Sequence, residues 1–256
     1  MKSISLLFSL VVLVLPTVAA GQAPQKDVFA NPRNLEVLPQ DISSRELGET
    51  MKGFAMGLDV RCETCHVGEA GQPLDTFDFA SDEKPMKQKA RRMLKMVMAI
   101  NTDHVASLND IEASDPVEVR CVTCHRGRPQ PKLIQDILDE QLAGGGLETA
   151  VTTYNKLRGE FYGSHSYDFS EMSLPLYAQA LAGRGELDAA VAFARINTEH
   201  YPESYYSFFM LAELYAASGQ KAAAIEGFQR AAELNPRARP FIDGRIAALE
   251  AEPGAK

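Results

Sequence analysis

Long hydrophobic runs are scarce in this sequence of 256 residues. The clearest one, Ile4 to Leu15, has 12 residues, whereas a membrane-spanning helix needs about 20. Lys2 precedes this run and the small residues of 16–20 follow it, which is the pattern of a secretory signal peptide cut near Ala20 or Ala23. We therefore expect residues 1–20 to be removed and the mature protein to be soluble in the periplasm.

Positive charge is also in short supply. The sequence has 26 Lys and Arg against 34 Asp and Glu, which gives a formal net charge of −8. An acidic surface repels both the phosphates of nucleic acids and anionic lipids. The composition therefore argues against a nucleic-acid partner and against adhesion to an anionic membrane surface.

Only four cysteines are present, and all of them belong to two copies of the pattern Val-Arg-Cys-x-Thr-Cys-His-x-Gly, at residues 60–68 and 119–127. No thiol is left for a disulfide, a lipid anchor or a catalytic nucleophile. The residues with metal or thioether chemistry are Cys62, Cys65 and His66 in the first copy and Cys121, Cys124 and His125 in the second.

Cys-x-x-Cys-His is the attachment signature of a c-type haem, in which both thiols form thioethers to the haem and the histidine binds the iron. The alternative is a zinc ribbon built from two Cys-x-x-Cys pairs. The gap from Cys65 to Cys121 is much longer than the roughly 15–20 residues usual in ribbons, and a histidine directly follows each pair. We therefore predict two covalently bound haem c groups, with His66 and His125 as the proximal iron ligands.

Each motif follows a segment with helical periodicity. The first runs from about Ser43 to Leu58, and the second from about Ser81 to Ile100. Each predicted helix carries a methionine on its apolar face, Met51 in the first and Met93 in the second. A methionine in such a place often only fills a core, but a thioether is also a good sixth ligand for a haem iron.

The supply of histidine favours methionine as the distal ligand. Two of the five histidines are proximal, and His165 and His200 lie in the other half of the chain. Met51 and Met93 are the preferred distal ligands by their helix faces. Met56, Met96 and His104 remain alternatives.

The run Ala90-Arg91-Arg92-Met93-Leu94-Lys95-Met96, then Ala99 to Asp103, and then Cys121 to Gly127 resembles the cytochrome c subunit of purple-bacterial photosynthetic reaction centres. In that family, methionines on the helices before the haem motifs are the sixth ligands, and the matching positions here are Met93 and Met51. The resemblance covers about residues 31–129 and implies an electron carrier. The family subunit carries four haems whereas this chain has two motifs, and His104 lies near the place of a ligand to a fourth haem.

The second half has an internal period of 34 residues. Gly185 and Gly219 are one period apart, as are Ala190 with Ala224 and Pro202 with Pro236. This is the tetratricopeptide period. A weaker unit begins near Pro131 and is separated from the next by a six-residue insertion at His165 to Ser170, so about three units are predicted.

These patterns predict an all-α protein in four parts. The signal peptide (1–20) and an extended segment (21–42) precede a diheme cytochrome domain with long irregular loops (43–129), and an α-solenoid of helix-turn-helix repeats (131–250) follows. Pro129-Gln130-Pro131 marks the last boundary, across which we expect few contacts.

The predicted function is electron transfer, with the repeats docking the protein to a redox protein or to a membrane electron-transfer complex. Two alternatives are an enzyme of the diheme peroxidase type, which needs an open iron position, and an assembly or sensor module in which the haems are a redox gauge.

Overall fold

The computed structural model describes residues 27–109, without the side chain of Asn109, and residues 117–251. The predicted signal peptide lies outside these residues. The described part of the chain is helical, and its only β-type pairing is an isolated antiparallel bridge between Val67 and Asp78. No described helix is long and apolar enough to cross a membrane.

The first half of the described chain contains four α-helices and one π-helical turn. They are α1 (Ser44–Leu58), α2 (Pro85–Ala99), the π-helical segment Ile100–Val105, α3 (Ala106–Asn109) and α4 (Cys121–His125). The second half contains α5 (Ile134–Phe161), α6 (Ser173–Gly183), α7 (Leu187–His200), α8 (Tyr205–Ala217), α9 (Lys221–Leu234) and α10 (Arg239–Ala251).

The chain divides into two compact units that cross the predicted domain borders. One unit is Met1–Thr50 with Cys62–Arg91, and the other is Met51–Arg61 with Arg92–Lys256. The second haem motif therefore belongs to the same compact unit as the helices of the second half.

Helix α1 agrees with the predicted helix, and a capping box explains where it begins. The Ser43 hydroxyl accepts from the Glu46 amide at 3.2 Å, and the Ser43 amide donates to the Glu46 carboxylate at 3.1 Å. Such reciprocal bonds satisfy amides that have no partner in the first helical turn. Leu47, one residue later, is buried.

Helix α2 begins at Pro85 and not near Ser81 as predicted. The reason is the buried side chain of Lys87, whose Nζ donates to the carbonyls of Phe79 and Ala80 at 3.0 Å each and to that of Ser81 at 2.8 Å. These carbonyls bond to one ammonium group and not to amides of a helical turn, and residues 79–84 are not helical. Proline at the first helical position then suits the start of α2.

Asp82 completes this cage of carbonyls around Lys87. Its carboxylate lies 3.1 Å from Lys87 Nζ and accepts from Arg91 at 2.8 Å. Hydrogen bonds from Asn34 and Lys87 lower the pKa of Asp82 to about 2. The carboxylate therefore stays ionised at neutral pH and balances the buried cation.

Side-chain bonding also fixes the segment that enters the second motif. In the π-helical turn after α2, the Asn101 amide donates to the Val119 carbonyl and accepts from the Val119 amide, both at 2.8 Å. Both backbone polar groups of Val119, two residues before Cys121, are therefore bonded to the Asn101 side chain. It holds the backbone that leads into α4.

The helices of the second half recur with the period read from the sequence. Helices α7 and α9 begin 34 residues apart and end 34 residues apart, and so do α8 and α10. Consecutive helices from α6 to α10 pack on each other. Helix α5 contains a kink at Gly146, whose φ of 75° a residue with a side chain rarely adopts.

The core of the second half lies between these helices. Large side chains that are almost fully buried include Leu138, Tyr154, Leu181, Phe193 and Phe228. Ala190 and Ala224, one period apart, are both fully buried, as close packing of neighbouring helices requires.

We predict that Lys87→Met destabilises the protein by roughly 3 kcal/mol, because three carbonyls and Asp82 lose their cationic partner while the volume of the side chain is kept. Urea denaturation followed by circular dichroism measures the free energy of unfolding. Lys89→Met is the matched control, since Lys89 is exposed on the same helix. Equal stabilities for the two variants would contradict this account of Lys87.

Candidate haem sites

Each cysteine pair lies on a single helical turn. In the first motif the amides of Cys65 and His66 both donate to the Cys62 carbonyl, at 3.2 and 2.9 Å. In the second, residues 121–125 form α4. Two thiols three residues apart on one turn point to the same side, as attachment to one haem requires.

All four thiols are unpaired in the structure. Cys62 and Cys124 are exposed, and Cys65 and Cys121 are half-buried. Burial raises the pKa of Cys65, and the neighbouring Cys62 raises it further. Burial also raises the pKa of Cys121. Both shifts favour the neutral thiol form of Cys65 and Cys121.

His66 lies in a protein environment that keeps its ring neutral. Its ring contacts Phe79 edge-on with the ring centres 5.0 Å apart, and Phe79 stacks on Phe77. Burial lowers the pKa of His66, and the charge of Lys87 lowers it further. A neutral imidazole is the form that binds iron.

Steric crowding explains why a glycine, Gly68, ends the first motif. A Cβ atom built on Gly68 would lie 2.4 Å from the ring of Phe77, which is far inside contact distance. The Val67 carbonyl beside it accepts from the Asp78 amide at 2.8 Å. The chain after His66 can therefore pack under Phe77 only because position 68 lacks a side chain.

The second histidine has a hydrogen-bond partner of its own. His125 Nδ1 lies 2.8 Å from the carbonyl oxygen of Arg128. Arg126 and Gly127 both have positive φ, 49° and 76°, which turns the chain back on the ring. A proximal ligand bonded through Nδ1 presents its other nitrogen to the metal in a fixed orientation.

This turn is also bonded to more distant parts of the same compact unit. The Gly127 amide donates to the Gly57 carbonyl at 3.0 Å, and the Ser166 hydroxyl donates to the Arg126 carbonyl at 2.9 Å. The Arg128 guanidinium lies 4.4 Å from the centre of the Phe161 ring. Specific contacts therefore cross Pro129-Gln130-Pro131, and the prolines in the sequence do not reveal which side chains make them.

The methionines near the motifs differ in exposure. Met51 is half-buried, whereas Met56 is 77% exposed. On α2, Met93 and Met96 are 37% and 45% exposed, so exposure does not separate these two. The assignment of Met51 and Met93 as distal ligands therefore stays a prediction.

The remaining alternatives for metal binding have a weaker basis. His104 is exposed on the π-helical turn. A zinc ribbon would gather four thiolates around one ion. In the described ranges, no group of three or more His, Cys, Asp or Glu side chains is arranged to hold a metal ion.

Taken together, the residues fit covalent haem. Paired free thiols, a histidine at the end of each turn and thioethers on the preceding helices are the donor set of a c-type cytochrome. Three sets of contacts could not be predicted from residue spacing, because each joins residues that come together only in the folded chain. They are the bonds of Lys87 to the carbonyls of residues 79–81, the bonds between Asn101 and Val119, and the contact of Arg128 with Phe161.

Comparison with known proteins gives partial matches to cytochromes. Cytochrome c-554 of Chloroflexus aurantiacus is 34% identical over 113 residues, which are 44% of this chain and 24% of that protein. The photosynthetic reaction center cytochrome c subunit of Thermochromatium tepidum is 34% identical over 105 residues, 39% of this chain and 22% of that protein. The corresponding subunit of Rubrivivax gelatinosus is 38% identical over 76 residues, 28% of this chain and 16% of that protein. The chain therefore spans less than a quarter of the length of these relatives.

A broader match comes from the sequence model described as "Photosynthetic reaction centre cytochrome C subunit", which fits residues 7–173. The match continues past the predicted boundary at residues 129–131, through α5 and the insertion, to the first residue of α6. Because it covers more than half of the 256 residues, the chain belongs to the photosynthetic reaction centre cytochrome c subunit family.

Proposed function

We propose that this protein is an exported diheme c-type cytochrome that carries electrons between redox partners and is not an enzyme. The observation that carries the proposal is the duplicated turn with two free thiols and a terminal histidine. Bound haem would supply an iron that alternates between ferrous and ferric states. The cysteines would tether each haem, and His66 and His125 would bind the two irons.

Met51 and Met93 are proposed as the distal iron ligands. They lie on the helices that precede the two motifs, and they match the methionine positions of the family. Met56 lies about 140° round α1 from Met51, on a different face of the helix, and is therefore the weaker candidate. With both sixth positions filled, neither iron would have an open site for peroxide, which favours a carrier over a peroxidase.

We further propose that α5–α10 form a tetratricopeptide-like solenoid of about three units that docks the protein to a redox protein or to a membrane electron-transfer complex. The period of 34 residues in the helix bounds supports the repeats. An aromatic group of Tyr205, Phe209 and Phe241 supports docking. Phe241 is 61% exposed although its ring centre lies 5.8 Å from that of Phe209, and aromatic residues are common anchors of protein interfaces.

We expect the purified exported protein to hold two haems that acid–acetone extraction does not release. Cys62→Ser/Cys65→Ser and Cys121→Ser/Cys124→Ser should each retain one, because each thiol pair attaches its own haem. Intact-protein mass spectrometry with an iron assay counts them. Bound zinc in place of iron, or haem that extracts freely from the unaltered protein, is incompatible with the proposal.

Methionine ligation predicts a weak long-wavelength sulfur-to-iron absorption band in the oxidised protein. Met51→Ala and Met93→Ala should each remove about half of this band and lower one reduction potential, since each methionine serves one of two irons. Spectra recorded during a redox titration measure both effects. Met56→Ala is the control and should change neither. If Met96→Ala has the effect expected of Met93→Ala, the distal ligand of the second haem is Met96. If only one iron of the unaltered protein gives the band and Met93→Ala leaves it unchanged, His104 becomes the candidate for the second haem.

For docking, Phe241→Ser should weaken association with the partner complex roughly tenfold, as loss of an aromatic anchor does. The measurement is the rate of haem reduction by membranes of the source organism as a function of protein concentration. Met172→Ser is the control, because Met172 is exposed but lies outside the helices. Unchanged rates for Phe241→Ser would exclude this aromatic group from the docking surface.

A further inference from the structure

We infer that Ser166 and Arg128 are positioning residues for the second proposed haem: they fix the turn at residues 126–128, and this turn sets the strength of the hydrogen bond to His125. The inference rests on the proposed attachment of a haem at Cys121 and Cys124. According to this inference, the residues of the second half that contact the turn affect the reduction potential of the second haem. This effect is separate from the proposed docking role of the second half.

The turn is the route by which these residues reach the proximal ligand. His125 Nδ1 donates to the Arg128 carbonyl, with 2.8 Å between the atoms. A hydrogen bond from the second nitrogen of a metal-bound imidazole makes the ligand more basic. A more basic ligand stabilises ferric iron relative to ferrous iron, so a firmly held carbonyl lowers the potential of this haem.

Two independent contacts hold the turn from the same direction. The Ser166 hydroxyl donates to the Arg126 carbonyl at 2.9 Å. The Arg128 guanidinium lies over the Phe161 ring at 4.4 Å and near the Tyr167 ring at 5.9 Å from its centre. A guanidinium over an aromatic face is attracted by the electrons of the ring and stacks as a planar group. Both ends of the three-residue turn are therefore anchored.

The anchoring residues are themselves firmly held. Phe161 is buried at the end of α5, and its ring contacts that of Tyr167 edge-on at 5.5 Å. Tyr167 in turn contacts Phe169, which is buried and whose carbonyl accepts from the Tyr201 hydroxyl. The six-residue insertion at 165–170, which interrupts the 34-residue period, supplies three of these side chains. The repeat pattern does not account for this insertion, whereas its contacts with the turn beside His125 do.

The histidine of the first motif is held in a different way, and the backbone of Phe79 contributes to its surroundings. Nδ1 of His66 is buried and has no hydrogen-bond partner within the described residues. The chain after His66 packs on Phe77 of its own compact unit. Changes at Ser166 or Arg128 should therefore move only one of the two potentials, and the first haem serves as an internal reference.

The test is a spectroelectrochemical titration of the full-length protein carrying Ser166→Ala or Arg128→Lys. Neither variant changes the net charge, so a shift reports the position of the turn. We expect the potential of the second haem to rise in both variants, by up to about tenfold in its reduction equilibrium, which is ~59 mV for one electron. Arg230→Lys is the matched control, because the Arg230 guanidinium lies 5.7 Å from the Phe208 ring centre and makes the same kind of contact away from the turn and its anchoring residues.

Loss of the Arg128 charge works in the opposite direction and provides a check of sign. Arg128→Gln also removes a positive charge three residues from His125, and loss of this charge would lower the potential of a haem bound there. The inference therefore requires a higher potential for Arg128→Lys than for Arg128→Gln, and a higher one for Arg128→Lys than for the unaltered protein. Unmoved potentials in Ser166→Ala and Arg128→Lys, or equal shifts of both haems, would overturn it.

A single-haem background separates this inference from the proposed function. In Cys62→Ser/Cys65→Ser only the second haem remains, so its potential is measured alone, with and without Arg128→Lys. If this protein binds no covalent haem, or still binds two, the proposed attachment is wrong. The other outcome is one bound haem whose potential is the same with and without Arg128→Lys or Ser166→Ala, at unchanged stability in urea. In that case the proposed attachment is supported and the positioning role is wrong.

Discussion

Both attachment motifs are single helical turns without a hydrophobic core of their own, so the backbone beside them must be held by side chains from other segments. Every well-defined feature of the two sites follows from this constraint. The Lys87 ammonium gathers the carbonyls of residues 79–81, and the Asn101 amide fixes Val119 ahead of the second motif. Ser166 and Arg128 fix the turn that follows it.

The backbone beside the two motifs is held by different kinds of interaction. Around His66 the support is a buried cation with an ionised Asp82 and a stack of two phenylalanine rings. Around His125 it is a hydrogen-bonded turn with left-handed residues, braced by an arginine on an aromatic ring. The two copies of the motif therefore have different electrostatic surroundings.

Sequence reasoning succeeded where the signal is local or periodic. The capping residue Ser43 and the apolar spacing of Leu47 define α1, and a 34-residue period defines the helix pairs of the second half. It failed at the start of α2, because the preference of residues 81–84 for helix is overridden by carbonyls that bind Lys87. The specific contacts of Arg126 and Arg128 with residues beyond the two prolines could not be predicted either. Long-range contacts of this kind have no fixed spacing and cannot be read from a pattern.

The π-helical turn at Ile100–Val105 limits how this stretch of chain can vary in length. Its wider winding is visible in the Ala106 amide, which bonds to the carbonyl of Asn101 five residues earlier. A turn of this kind holds one residue more than an α-helical turn would. Deletion of a single residue here would restore ordinary winding and rotate Asn101 away from Val119. Relatives that have the Asn101–Val119 hydrogen bonds should therefore also have a π-helical turn of the same length after α2. The identities of its other residues can differ.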